Sequence, residues 1–199
     1  MLRTVLHIVP IAAFFGLLIS CDIFEPRTPE EPTAARGNFI PPTTSDIVIE
    51  NFINAINERN AQHYVQCFAD PALTERAFEF IPTQRAQGQF AALFEEWDVQ
   101  DERMYFENLI SSIPDNATLN LSLHNDQFES QSSDAATFVA SYILTAEHTN
   151  EGFPYFIFEG TLRFELSTDQ ANNWSIFRWA DLPSGEQRSW SELKGTFKL

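Results

Sequence analysis

The main change in the hydrophobic period of this chain comes at Pro114, and that change limits the folds open to it. Before Pro114 apolar residues recur every three or four positions. Ile49, Phe52, Ile53 and Ile56 predict an amphipathic helix over 46–59, with Ser45 as its N-cap and Asp46 and Glu50 near its positive end. Asn60 breaks that helix and caps a second, short one over 61–68, which Ala69-Asp70-Pro71 terminates. Residues 77–81 alternate as a short strand before Pro82. Residues 83–112 read as helix in two pieces meeting near Trp97-Asp98, one striped by Phe90, Leu93, Phe94 and Trp97 and the next by Met104, Tyr105, Leu109 and Ile113.

After Pro114 the period is two. Leu119, Leu121 and Leu123 form one face of a strand, and Phe138, Ala140, Tyr142 and Leu144 that of another. Phe156, Phe158, Gly160, Leu162, Phe164 and Leu166 form a third, and a fourth strand runs from Trp174 to about Ala180. Polar turns at 127–134, 149–154 and 167–173 separate them. Helices followed by strands with one polar face predict an α+β domain over 45–199, with its N-terminal helices covering a curved antiparallel sheet.

Twelve basic and 28 acidic side chains give a net charge of −16, which excludes a nucleic-acid binder working by phosphate neutralisation. Two cysteines cannot build a disulfide framework or a four-thiolate zinc site. No metal-binding histidine pair, phosphate-cradling glycine loop or nucleophile elbow occurs, so no cofactor and no metal are expected. His124 falls on a polar strand face, and Glu147 and His148 point to opposite faces of theirs. Cys67, between apolar neighbours, reads as a core thiol rather than a nucleophile served by His63.

The N-terminus carries Arg3 and then an apolar run from Val5 to Ile19. At ~1.5 Å per residue it falls short of the ~30 Å hydrocarbon core. It reads as a secretory signal over 1–20, the competing reading being an uncleaved anchor. Leu18-Ile19-Ser20-Cys21 resembles the bacterial lipobox. That resemblance implies lipidation of Cys21, a membrane anchor without a spanning helix, and a place in the bacterial cell envelope, periplasmic or surface-exposed. Residues 21–44, with five prolines, read as a Pro-rich linker.

The order of elements, together with Ile49-Glu50-Asn51-Phe52-Ile53-Asn54-Ala55-Ile56, the 61–68 helix with Tyr64 and Phe68, and Trp174-Ser175-Ile176, resembles the nuclear transport factor 2-like superfamily, which includes the SnoaL-like proteins and has a cystatin-like cone. The resemblance spans 45 to about 181 and implies a cone-shaped pocket between sheet and long helix. The Trp190–Gly195 stretch is similar to the tails of bacterial lipoproteins with this domain. The fold does not imply a reaction.

The inward strand phases are almost wholly apolar. Tyr64, Tyr142 and Arg178 are the polar tips expected inside the cone, Arg178 because it shares a phase with Trp174 and Ile176. It would serve there as a mouth ion pair or as an anchor for an anionic ligand. Phe177 and Trp179 take the opposite phase, as a homodimer or partner face, or as a surface covered by Trp190, Leu193 and Phe197. The leading expectation is a non-enzymatic, membrane-tethered lipoprotein binding a small apolar ligand or an envelope protein through the cone. The alternatives are a SnoaL-like isomerase, hydratase or cyclase acting in the cone, and a structural dimerisation module. Converging titratable groups with shifted pKa values would favour the enzyme; a filled apolar cone would favour binding.

Overall fold

A computed structural model describes residues 38–198 except Glu75. Cys21, the lipobox, the signal segment and most of the linker lie outside the described residues. Five helices and five strands follow in the order α1 (Ser45–Asn57), α2 (Ala61–Gln66), β1 (Glu79–Ile81), α3 (Gln84–Gln89), α4 (Val99–Ser111), β2 (Leu119–Gln131), β3 (Ala135–Ala146), β4 (Ile157–Thr168), β5 (Trp174–Pro183) and α5 (Trp190–Phe197). The sheet order is β1-β5-β4-β3-β2, antiparallel throughout except that the short β1 runs parallel to β5 at the edge.

The helix starts follow local chemistry. Thr44, not Ser45, caps α1, accepting from the Ile47 N–H; Ser45 is buried and its hydroxyl binds Gln131 at 2.8 Å. Asn60 caps α2 as expected. The stretch read as two helices breaks into α3, a single 3-10 turn over Ala91–Leu93, and α4. Asp98 starts α4 with a reciprocal capping box to Asp101, which satisfies backbone donors that a continuous helix would not leave free.

The end of the expected linker is docked on the domain. The Asn51 side chain holds both backbone groups of Ile40, at 2.9 and 2.6 Å, and Trp174 N–H donates to the Pro42 carbonyl at 2.7 Å.

The concave face of the sheet closes over α1, α2 and α4. Phe52 sits at the centre, fully buried, against the rings of Tyr64, Phe68, Phe164, Trp179 and Trp190. Aromatic pairs at these separations add to the burial of their large apolar areas. The C-terminal tail, expected only as a cover, is itself a helix. Ser189 and Glu192 form its capping box, and Trp190, Leu193, Lys194 and Phe197 share its inward face.

Candidate functional site

One irregularity decides which β5 side chains enter the cone. Glu165 pairs with Arg178 and Leu166 with Ile176, so Phe177 is an extra residue in β5. Such a bulge shifts the alternation by one position. Trp174 and Ile176 face inward before it; Trp179 and Asp181 face inward after it, all buried. The period-two expectation for this strand is therefore corrected. Arg178 does not enter the cone. It lies on the outer face with Glu79 at 3.2 Å and Glu165 at 3.7 Å, an exposed pair of the kind that contributes little. Trp179 is not an exposed interface residue: it is in the core, edge-on to Trp190. Phe177 stays outside, half-buried, with the Arg76 guanidinium 4.5 Å from its ring centre.

Tyr64 and Tyr142 do enter the cone, and each meets a carboxylate the sequence reading had not selected. The Tyr64 hydroxyl donates to Glu102 at 2.7 Å. The other Glu102 oxygen accepts from the Trp97 indole at 2.8 Å and pairs with the Lys194 ammonium, both charges being fully buried. The Tyr142 hydroxyl donates to Asp181 at 2.8 Å and accepts from the Trp190 backbone N–H at 2.7 Å. The second Asp181 oxygen accepts from the Ser191 backbone at 2.7 Å and its hydroxyl at 2.5 Å. The Trp190 indole donates to Tyr105 at 2.8 Å.

Burial is the largest influence on Tyr64, Tyr105, Tyr142, Asp181 and Lys194. It pushes Tyr64, Tyr105 and Tyr142 well above the usual phenol range, with the neighbouring carboxylates adding to it. It raises Asp181 although three hydroxyls and a backbone N–H oppose it. It brings Lys194 down to about 8 against the pull of Glu102. Titratable groups thus do converge in the cone, yet each is engaged by the chain's own α5 or its neighbours.

Glu102 and Lys194 each carry a signal at helical spacing. Glu102 lies three, four and seven residues before Tyr105, Phe106 and Leu109, and Lys194 shares the Trp190–Phe197 face. Asp181 carried none, because only the bulge turns it inward.

Cys67 is buried, contacts the His63 carbonyl at 3.3 Å, and has its thiol pushed far up by burial. His148 stacks between Phe153, Phe156 and Phe197, with Nε2 3.0 Å from the Tyr155 carbonyl oxygen. Among the described residues no group of three His, Cys, Asp or Glu is placed to hold a metal, and no helix is long and apolar enough to cross a membrane.

A further open cavity lies away from the Glu102 and Lys194 groups. A cleft of about 650 Å³ forms where the docked 39–42 segment, α2, the 70–74 turn, the start of α4 and the start of β5 meet. Phe39, Pro41, Val65, Phe68, Leu73 and Trp174 give it apolar walls, and Arg103 and Asp70 stand among its polar lining. Ser175 also lines it, and its hydroxyl is buried without a hydrogen-bond partner among the described residues.

No protein-family model matches the sequence, and no curated protein sequence does. Solved structures do. A Novosphingobium aromaticivorans protein provisionally named an aromatic ring hydroxylase superposes with a TM-score of 0.53 at 12% identity, over 75% of this chain and 92% of that one. A Streptomyces avermitilis protein provisionally named a dehydratase of the nuclear transport factor 2-like family gives 0.51 at 9%, over 70% and 92%. A nuclear transport factor 2-like superfamily protein of Salmonella enterica gives 0.50 at 14%, over 70% and 88%. At these identities the likeness is one of fold, and the fold of this chain is the nuclear transport factor 2-like cone.

Proposed function

We propose that this protein is an envelope lipoprotein, anchored through lipid on Cys21, whose cone-shaped domain works by binding rather than by turnover. Its ligand is a small, largely apolar molecule, held in the cleft against Val65, Phe68 and Trp174. The observation that carries this reading is an open cleft with largely apolar walls, with Asp70 and Arg103 among its polar lining. Occupied polar tips in the cone support it from the other side: Tyr64, Tyr142, Glu102 and Asp181 are all engaged within the chain. The test is native mass spectrometry of the membrane-extracted protein. One small molecule should co-purify with the wild type and be lost from Leu73→Arg, which places a charge in the cleft. A ligand retained in full by Leu73→Arg discards the cleft. Separately, Cys21→Ala should leave an unlipidated, uncleaved precursor; normal release of the variant as mature protein discards the anchor.

The competing reading is catalysis in the cone, as in an isomerase or dehydratase. What favours it is Asp181, a carboxyl raised by burial and bonded to the Tyr142 hydroxyl, an arrangement suited to moving a proton. It requires α5 to leave, since Ser191 and Trp190 now occupy both groups.

A further inference from the structure

The Lys194 ammonium is surrounded as a bound cation would be. It lies 3.5 Å from the ring centre of Trp179 and 3.7 Å from that of Phe80, with Trp97 and Tyr105 at 5.6 and 5.7 Å. Glu102 supplies the counter-charge, and is itself held by Tyr64 and Trp97. Aromatic faces around an ammonium, closed by a carboxylate, are the means by which proteins recognise amines. An ion pair alone would need no such walls. In addition, the Trp179 indole N–H is buried with no partner among the described residues, a spare donor in the wall of the cage.

None of the five cage residues belongs to α5. Phe80 comes from β1, Trp97 from the turn before α4, Glu102 and Tyr105 from α4, and Trp179 from β5. To the cage itself helix α5 contributes only the cation, while its Trp190, Leu193 and Phe197 pack into the core. It adds no strand to the sheet, and residues 184–187 of the segment that joins it to β5 are exposed. The Lys194 ammonium is therefore an internal ligand held by its own chain, with an effective concentration in the millimolar range or above. A free amine meets its full affinity only in the fraction of molecules where that tethered ligand is out.

We propose that the cone is an amine-binding site, in which Phe80, Trp97, Tyr105, Trp179 and Glu102 hold a primary alkyl- or arylalkyl-ammonium, and that Lys194 occupies it as an internal ligand in the closed form. The site is separate from the cleft, so it stands or falls independently of the ligand proposed there.

The test uses the full chain carrying Lys194→Ala. That change deletes three carbons and the nitrogen, the atoms of n-propylammonium. Thermal unfolding is followed while n-propylammonium chloride is titrated, against 1-propanol and sodium chloride at equal concentration. The expected result is a saturable rise in midpoint with the ammonium alone, at an apparent affinity at least tenfold tighter than for the wild type. An equal response to 1-propanol would show a plain apolar cavity and overturn the proposal, as would no response to either. If Lys194→Ala is recovered unfolded, refolding yield reads the same comparison: higher with propylammonium supports the cage, equal with propanol overturns it. The variant Lys194→Ala/Glu102→Gln should lose the preference for the ammonium over the alcohol; full preference without the carboxylate would place the binding elsewhere and overturn it.

Discussion

The Trp190 indole stands edge-on against that of Trp179, ring centres 4.8 Å apart at 87°, and this contact joins the C-terminal helix to the last strand of the sheet. Trp190 also meets Phe52 and Tyr142, and its two N–H groups donate to Tyr105 and Tyr142. Trp190→Ala should therefore lose packing and one buried hydrogen bond together, at a cost of about 3–5 kcal/mol. Urea unfolding followed by circular dichroism measures it. A loss below about 1 kcal/mol would mean that α5 contributes little to the folded state.

The Glu102–Lys194 pair makes a different prediction, because removing one partner and removing both are not equivalent. Lys194→Met leaves a buried carboxylate with only Tyr64 and Trp97 as donors, and should cost about 3–5 kcal/mol. Glu102→Gln/Lys194→Met removes both charges at nearly constant volume and should recover most of that loss. The coupling from this double-mutant cycle checks the pair. Additive effects would contradict the geometry.

His148 should make the domain sensitive to mild acid. Burial lowers its pKa from 6.5, so the folded state keeps the ring neutral where the unfolded chain protonates it. Its contribution is intact above pH 6.5 and is lost as the pH falls below that value. Asp181, raised by burial, acts with the opposite sign: its contribution is full below 3.8 and is lost as the pH rises through its folded value. The difference between wild type and His148→Leu isolates the histidine. That difference should shrink from pH 7 to 5; a constant difference would leave His148 without a role.

The order of helices and strands was legible because apolar spacing records burial, and most elements recur within a few residues of where that spacing puts them; β2 instead runs on to Gln131, through most of the polar stretch read as a turn. Four features were less so. The bulge at Phe177 is invisible to periodicity, since Trp174, Ile176 and Arg178 alternate as cleanly as a regular strand; only pairing with β4 shows the extra residue. That one residue exchanged the places of Arg178 and Trp179. The helical state of the tail was written in Ser189-Trp190-Ser191-Glu192, a capping box, and in the spacing of Trp190, Leu193 and Phe197. Glu102 and Lys194 sit on apolar helix faces, where a charge reads as an exception until its partner is found. The cleft arises where segments distant in sequence meet, and no local pattern encodes it.

The bulge itself yields the last prediction. Because Phe177 is the unpaired residue, deleting it leaves Ile176 inward, Arg178 outward and Trp179 inward, a regular ladder against Leu166, Glu165 and Phe164. The deletion should give a folded protein with a cooperative urea transition, weakened mainly by the lost contact between Phe177 and Arg76. Deleting Ala180 has the opposite consequence. Asp181 would follow Trp179 directly and turn to the outer face, separating its carboxylate from Tyr142 and from both donors of Ser191. The α5 helix would then lose its anchor on the sheet, and the unpaired groups would add their own desolvation cost. The midpoint of the Ala180 deletion should fall well below that of the Phe177 deletion; equal midpoints would show that position 177 is not where the strand carries its extra residue.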